Sequence, residues 1–172
     1  LEFRRVLFRS ASRIDEPVGM MVVRVDHAER LYASLDPMAK TDLFAALSER
    51  LESKLPIQAR LGFYDPACFV VTLPNIRSAE LERVGTDLRL AVSKPLLDTA
   101  GEVHLTVSIG CSFAAAFNGA DYLWSTAWAA ATAASQAGGD RVFGANPDNA
   151  ISERIRSEEH TSELQSQFRI SY

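Results

Sequence analysis

The chain contains 172 residues, of which 47% are hydrophobic and 23% are charged, a composition that supports one globular core. Its 18 basic and 22 acidic residues give a net charge of -4, which lacks the basic excess of a phosphate-binding surface, so we expect no nucleic-acid partner. The apolar run at 19–23 is far shorter than the roughly 20 residues of a transmembrane helix, so we expect no membrane span in this segment. Cys68 and Cys111 stand far apart and predict buried free thiols in a reducing compartment, the cytoplasm.

The two ends of the chain are related at the level of DNA. Residues 1–10 read LEFRRVLFRS, and residues 156–165 read RSEEHTSELQ. One DNA sequence can encode the first segment while its reverse complement encodes the second, as happens when a sequencing adapter flanks an insert on both sides. We therefore expect residues 1–10 and 156–172 to be non-native, and residues 11–155 to form one mildly acidic domain that is open at both ends.

The first elements predicted along the chain are a buried strand and a long amphipathic helix. Met20–Val25 is apolar and rich in β-branched residues, which favours a strand. Pro37–Leu55 carries apolar residues at helical spacing, and Asp36 supplies an N-cap directly before a proline at the first helical position. We therefore predict a helix over 37–55.

The next segments predict a hairpin and a second helix. Ile57–Phe63 and Cys68–Leu73 are strand-like, and the turn-forming residues 64–67 join them. Ser78 is expected to cap a helix that reaches about Ser93, with apolar residues along one face.

The last third of the predicted domain contains a strand, a helix and a short strand. Val103–Phe113 favours a strand, in which Gly110 marks a bulge or a close backbone approach. Asp121–Ala137 is the third predicted helix, and residues 138–140 are interpreted as its C-terminal stop before the short strand Val142–Phe143. The order strand, helix, strand, strand, helix, strand, helix, strand predicts an α/β fold with helices covering a mixed sheet of five strands.

The third predicted helix has two further features. Trp124 and Trp128 are four residues apart and so share one face, where packing in a core or interface is preferred to base stacking. The alanine-rich run 127–134 permits close approach either to the sheet or to a partner. The apolar periodicity predicts that the core contains Val22, Val23, Val25, Leu43, Phe44, Leu47, Phe69, Val71, Leu88, Val107 and Ile109.

This order of elements, with several short motifs, resembles the GGDEF domain, the catalytic domain of diguanylate cyclases. The likeness covers nearly all of residues 20–143. The matching segments are Val22–His27, Arg60–Gly62, Phe69–Pro74, Thr106–Gly110 and Ala127–Phe143. The resemblance implies a sheet similar to the palm of adenylate cyclases and polymerases, and a place in bacterial cyclic di-GMP signalling.

The resemblance also implies a reaction that joins two GTP molecules, each held by one domain of a pair, with carboxylate-bound Mg²⁺ on the phosphates. Arg24 stands at the position of the family's first metal carboxylate, where its positive charge would repel the ion. Asp26 follows two residues later, and we expect these two side chains to form an ion pair on one face of the strand.

The signature turn departs from the family pattern as well. Asp65, Pro66, Ala67, Cys68 and Phe69 align with Gly-Gly-Asp-Glu-Phe, so both acidic residues of the signature are replaced. Proline also removes a backbone N–H at a position where glycine lets the backbone approach phosphate.

The positions that the family uses for nucleotide binding are degenerate too. Tyr32 replaces the Asn that reads guanine, and Thr41 replaces a second Asp on the guanine side. Ser135 and Gly139 replace the Lys and Arg that hold phosphate, and residues 56–59 lack the inhibitory Arg-x-x-Asp motif. We therefore expect no catalytic residues, no metal and no cofactor, although the family uses Mg²⁺.

Three functions are compatible with these observations. The first, which we favour, is a non-catalytic regulatory or dimerisation module of a cyclic di-GMP signalling protein. Its partners would be a neighbouring domain of the same protein, an EAL-type phosphodiesterase or a sensor, and a second copy of itself. The second is an active or residual Mg²⁺-dependent cyclase in which Asp26 and Asp65 take rearranged roles. The third is an unrelated α/β domain that binds a small molecule, which a sheet order unlike the family's would favour.

Overall fold

The computed structural model describes residues 16–98, 101–115 and 120–144, so the segments expected to be non-native, 1–10 and 156–172, lie outside the described residues. In chain order the elements are β1 (Val18–Val25), α1 (Ala28–Ala33), α2 (Pro37–Glu52), β2 (Arg60–Asp65), β3 (Cys68–Pro74), α3 (Ser78–Val92), β4 (Leu96–Asp98), β5 (Gly101–Val103), β6 (Val107–Ala114), α4 (Ala120–Gln136) and β7 (Arg141–Gly144). None of the described helices is both long and apolar enough to cross a membrane.

Strand β1 is the central strand of the main sheet, whose strand order is β2-β3-β1-β6-β7. It pairs antiparallel with β3 and with β6, and β7 runs parallel to β6. Side chains on both faces of β1 are buried, which explains why its sequence is a continuous apolar run. Strands β4 and β5 form a separate antiparallel pair. The predicted α/β fold with a mixed five-stranded sheet is confirmed.

Helices cover both faces of this sheet and create two apolar cores. Helices α2 and α3 pack on the face that carries Val23 and Phe69. Helix α4 packs on the opposite face, which carries Val22 and Val70. The predicted core side chains are buried, except that Phe44 is only half-buried, with its ring stacked on Phe69 at a centroid distance of 5.4 Å.

Helix α4 crosses β6 with its backbone directly against Gly110. A Cβ atom at Gly110 would overlap the carbonyl oxygen of Ala127 and the amide nitrogen of Ala131. The β1–β6 register continues without a shift through this glycine, so the close approach is confirmed and the alternative of a bulge is wrong. The buried alanines Ala127, Ala130 and Ala131 therefore serve the contact of the helix with the sheet.

The turn after α4 is the helix stop that the sequence predicts. Gly138 and Gly139 have φ values of 113° and 75°, which favour glycine, and Asp140 follows with a φ of 50°. The N–H groups of the two glycines donate to the carbonyls of Ser135 and Ala134, respectively.

The end of α2 and the start of β2 differ from the predicted boundaries because of local hydrogen bonds. The helix expected over 37–55 ends at Glu52, because the N–H groups of Lys54 and Leu55 donate to carbonyls three residues back, in tighter turns. The strand expected from Ile57 begins at Arg60, since a turn at 56–59 precedes it, and the Ile57 side chain is 97% exposed.

Other boundaries change at α3 and at the strand expected over 103–113. Ser78 is the first residue of α3, whereas Arg77 occupies the N-cap position, so the expectation that Ser78 caps the helix is wrong. The carboxylate of Glu80 accepts the backbone N–H of Arg77 at 3.3 Å and satisfies the helix start instead. The expected long strand is divided into β5 and β6 by residues 104–106. Short elements such as α1 and β4 escaped prediction because they contain too few residues to show a period.

Candidate functional site

The end of β1, the β2–β3 turn and the start of β6 lie together at one end of the strands of the main sheet. Most of the sequence-predicted site residues lie there. Arg24 pairs with Cys68 on one side and with Ser108 on the other. Thr41, in contrast, is exposed and uses its hydroxyl to donate to a carbonyl of its own helix at 3.0 Å. Ser135 is exposed on the last turn of α4. Among the described residues, no hydrogen bond or ion pair links either side chain to Arg24.

Arg24 is directed towards α4. Its Nη1 donates to Oγ1 of Thr132 at 3.0 Å, and its guanidinium carbon lies 4.9 Å from the ring centroid of Trp128. A cation over an indole ring contributes roughly 0.5 to 2 kcal/mol, depending on its desolvation. The expected ion pair between Arg24 and Asp26 is wrong, although Ser108, the sheet partner of Arg24, donates to Asp26 and so places both side chains on one face. Arg24 is directed to α4 instead, and other donors occupy the Asp26 carboxylate.

Asp26 is a buried carboxylate that joins three parts of the chain. It accepts hydrogen bonds from the hydroxyls of Thr106 and Ser108 at 2.7 and 2.6 Å, and from the backbone N–H of Asp140 at 2.9 Å. A Cβ atom at Gly139 would lie only 2.8 Å from the carboxyl carbon of Asp26, so this glycine is needed for the close approach. Asp26 thus holds the end of β1 to β6 and to the turn before β7.

The β2–β3 turn is held by its own side chains and by α1. Asp65 accepts the backbone N–H of Ala67 on Oδ1 at 2.7 Å, a local turn-stabilising contact. The hydroxyl of Tyr32 donates to the carbonyl of Pro66 at 2.8 Å. Burial, and secondarily the nearby Asp65 carboxylate, raises the pKa of Tyr32 above its ordinary value, so its phenol stays protonated and able to donate.

Cys68 is the first residue of β3 and was expected to replace the second acidic residue of the signature. Its side chain is buried, and burial together with the Asp65 carboxylate raises the pKa of its thiol to about 12, against a smaller opposing effect of Arg24. A thiol with this pKa is neutral at physiological pH, the form that is a poor nucleophile.

Three aromatic side chains cover the α4 face of this site. Tyr64 lies 5.4 Å from Trp124 and 5.6 Å from Trp128, and the two indoles are 5.3 Å apart, measured between ring centroids. The shared face of the two tryptophans is confirmed. The contribution of Tyr64 was not predicted, because Tyr64 was expected in the turn, whereas β2 continues through it and alternation after Gly62 places it on the α4 face.

The sequence analysis also did not predict the hydrogen-bond partners of Arg24 and Asp26. The spacing of Trp128 and Thr132, four apart on one helix face, was a usable signal for the Arg24 contact. Ser108 and Thr106 belong to the motif Thr106–Gly110, but nothing local indicates that they donate to Asp26.

The described part of the chain holds no cluster of metal-binding side chains. Within residues 16–98, 101–115 and 120–144, no three His, Cys, Asp or Glu side chains converge on one point that could hold an ion. A cleft of about 500 Å³ lies elsewhere, between the C-terminal ends of α2 and α3 and β4.

Solved structures show what this architecture is similar to. The GGDEF domain of PA1120 (TpbB or YfiN) from Pseudomonas aeruginosa matches with a TM-score of 0.76 and 17% identity, covering 89% of this chain and 90% of that chain. The GGDEF domain of DgcB from Caulobacter crescentus, in complex with c-di-GMP, matches with a TM-score of 0.75 and 17% identity, covering 83% and 88%. The FimX GGDEF domain from Pseudomonas aeruginosa matches with a TM-score of 0.72 and 15% identity, covering 82% and 88%. No protein-family model and no curated protein matches the sequence. The chain therefore has the fold of the GGDEF domains.

Proposed function

We propose that this chain is a non-catalytic, GGDEF-like regulatory or dimerisation module of a cyclic di-GMP signalling protein. The observation that carries the proposal is the position of Arg24, which aligns with the family's first metal carboxylate. Its guanidinium is held by Thr132 and by the ring of Trp128, so a positive charge is built into this end of β1.

Arg24 and Asp26 do not fit a Mg²⁺ ion. A unit positive charge about 4 Å from another costs on the order of 4 kcal/mol at an effective dielectric constant near 20, and a divalent ion experiences roughly twice that repulsion. Asp26 is buried, and its carboxylate already accepts three hydrogen bonds from the protein. We therefore propose no metal-dependent step at these residues.

Hydrogen bonds within and to the β2–β3 turn also support the proposal of a non-catalytic module. Asp65 is engaged with Ala67, and the Tyr32 hydroxyl is engaged with the Pro66 carbonyl. A residual cyclase that used Asp26 and Asp65 would have to recruit the Asp26 carboxylate from its three hydrogen bonds and place a metal beside Arg24, which makes it the weaker candidate. An unrelated small-molecule-binding domain gains no support, because the sheet has the GGDEF order.

Two solved neighbours motivate the partners that we propose. One is an EAL/GGDEF domain protein from M. capsulatus, and another is the diguanylate cyclase SiaD from Pseudomonas aeruginosa in complex with its activator SiaC. By analogy, we propose that this module acts through a neighbouring EAL-type or sensor domain of its own protein.

The test is to incubate the 172-residue chain with GTP and Mg²⁺ and to measure cyclic di-GMP by chromatography, with an active diguanylate cyclase as the positive control. Trp124 and Trp128 are the two tryptophans of the chain, and Trp128 lies against Arg24 while Trp124 contacts Trp128, so intrinsic fluorescence is a suitable signal for nucleotide binding near Arg24. We expect no product and no fluorescence change up to about 1 mM GTP, where a dissociation constant near 1 mM would already be detected.

The variant Arg24→Asp is also expected to form no product, because restoring one member of a catalytic unit recovers little while the others are missing. Arg83→Asp, the same charge change on an exposed position of α3, is the matched control. Product from the unmodified chain would contradict the proposal. Product from Arg24→Asp alone would show that the altered turn 65–68 is not disabling.

A further inference from the structure

The cleft between the C-terminal ends of α2 and α3 and strand β4 has a volume of about 500 Å³. This volume is within the range of small-molecule sites in proteins, roughly 300 to 1,000 Å³. The cleft is on the α2–α3 face of the main sheet, whereas Trp128 packs on the opposite face. Its lining does not include residues 56–59, where the resemblance would place an inhibitory motif. The cleft is therefore separate from the site around Arg24.

Arg50 fixes the two walls of this cleft relative to each other. It lies in the last turn of α2, and its guanidinium donates to the carbonyls of Ala91, Lys94 and Pro95, at 3.4 Å for Ala91 and 2.9 Å for Pro95. These bonds connect α2 to the end of α3 and to the segment that leads into β4. A positive charge is thereby held in a fixed position in the lining.

Two lysines add to this positive charge. Lys54 and Lys94 line the cleft and are exposed, and within the described residues neither side chain forms an ion pair or a hydrogen bond. Glu49 contributes the single carboxylate of the described lining, against three basic side chains. The surface is thus locally basic in a chain whose net charge is -4. A small anion responds to this local charge, because charges beyond about 8 to 10 Å are screened at physiological salt.

Apolar side chains form much of the remaining lining. Ala91 and Leu96 are buried, whereas Leu97 is 79% exposed beside the charged groups. Contact with an apolar ligand would remove the surface of Leu97 from water, which is favourable. The cleft therefore offers positive charge and apolar surface to the same ligand.

We propose that this cleft binds a small organic anion, which carries a phosphate monoester or a carboxylate on an apolar body of about one or two rings. The anionic group would contact Lys54 and Lys94, since lysine binds phosphate as a point charge. The apolar body would contact Leu97. A phosphate monoester carries a charge of about -1.5 to -2 at pH 7, which suits an excess of basic over acidic side chains.

The experiment is a titration of the 172-residue chain with 1-naphthyl phosphate, followed by ¹H–¹⁵N NMR spectra. We expect the amide signals of Lys54, Lys94 and Leu97 to shift, with a dissociation constant of about 0.1 to 1 mM for a ligand of this size. Two matched compounds separate the two parts of the ligand. Naphthol lacks the charge and inorganic phosphate lacks the apolar body, so each is expected to bind at least about tenfold more weakly.

Exposed side chains are changed in the variants, so the fold is retained. Lys54→Gln and Lys94→Gln are each expected to weaken binding about threefold, and the double variant about tenfold, because exposed charge pairs contribute modestly. Lys40→Gln, on α2 outside the lining, is the matched control and should have no effect. Leu97→Ser is expected to weaken binding about threefold, whereas Leu90→Ser, on an exposed position of α3 outside the lining, should not.

Sedimentation with vesicles of 30% phosphatidylglycerol in phosphatidylcholine distinguishes a soluble anion from a lipid headgroup. We expect the chain to stay in the supernatant, because its net charge of -4 opposes contact with an anionic surface. Sedimentation with the vesicles that the double lysine variant abolishes would overturn the assignment to a soluble ligand.

Three results of the NMR titration would also overturn the proposal. These are the absence of shifts at the cleft, equal affinity for naphthol, and unchanged affinity of the double lysine variant. The titration requires neither GTP nor Arg24, so its failure would leave the proposed absence of catalysis unaffected.

Discussion

Arg24 and Asp26 are oppositely charged and two residues apart, yet each is held by a different part of the fold. Arg24 contacts α4, whereas Asp26 contacts β6 and the turn before β7. Burying a carboxylate is unfavourable unless hydrogen bonds replace its hydration. The three donors around Asp26 provide that replacement, so we infer that this carboxylate stabilises the fold.

We expect Asp26→Asn to lower the free energy of unfolding by about 1.5 to 3 kcal/mol, the range for hydrogen bonds to a charged group. Both side chains have the same size, but the amide of asparagine would point an N–H₂ group at one of the present donors. The backbone N–H of Asp140 can only donate, so the amide oxygen has to take the place of Oδ2 and the N–H₂ group then faces the Ser108 hydroxyl, which donates to Oδ1 in the native chain. Urea unfolding followed by circular dichroism measures the change.

Asp42→Asn is the matched control, because Asp42 is exposed on α2 and the same chemical change there should stay within about 0.5 kcal/mol. Equal effects of the two substitutions would show that the hydrogen bonds of Asp26 contribute nothing to stability.

Among the elements, the α4–β6 contact depends most on a single position. The helix backbone lies against Gly110, and small residues line the facing helix surface. This close approach also places Trp128 and Thr132 within reach of Arg24, so the geometry of the site depends on the glycine.

We expect Gly110→Ala to destabilise the chain by about 3 kcal/mol or more, because the new Cβ would collide with helix backbone rather than with a movable side chain. The fluorescence of Trp124 and Trp128 should shift as the helix is displaced. Ala133→Ser, on the exposed side of the same helix, is the control and should change stability by less than about 0.5 kcal/mol. A native-like stability and spectrum for Gly110→Ala would contradict the described contact.

At the scale of the whole molecule, each of the two cores contains one buried cysteine, so thiol reactivity measures whether each core is closed. Cys68 belongs to the core beneath α4, and Cys111 belongs to the core beneath α2 and α3. Burial raises the pKa of each thiol to about 12, with a smaller contribution from Asp65 for Cys68 and from Glu82 for Cys111. Both thiols are therefore neutral and shielded in the native state.

Two results should follow for the native chain. At pH 8 both thiols should react slowly with a disulfide reagent such as DTNB, and fast when about 6 M guanidinium unfolds the chain.

The stability of the chain should also depend on pH. In the unfolded chain the thiols have a pKa near the ordinary value of 9.0, whereas in the native chain it is raised to about 12. The native state thus binds more protons in this window, so stability should fall as pH rises from about 9 to 12.

Replacing both cysteines by alanine should remove this part of the pH dependence, which a comparison of the two unfolding profiles measures. Fast reaction of a native thiol at pH 8 would contradict the described burial.

Much of the fold follows from local signals in the sequence. Asp36 accepts the N–H groups of Met38 and Ala39 at the start of α2, as its position before Pro37 predicts. The hairpin, the three long helices and most of the core were also predictable, because caps, turns and periodicity act over a few residues. The short α1 and the β4–β5 pair were not, since such segments carry no period.

The proposal that Arg24 and residues 65–68 depart from the GGDEF pattern comes from the sequence alone, because it depends only on which residue type stands at each position. What these residues contact was decided by the tertiary structure. Arg24 meets Thr132 across 108 positions, and Asp26 meets the Asp140 N–H across 114. Such partners depend on which strands and helices become neighbours, and the energy that selects that arrangement comes from burial of both sheet faces rather than from any nearby residue.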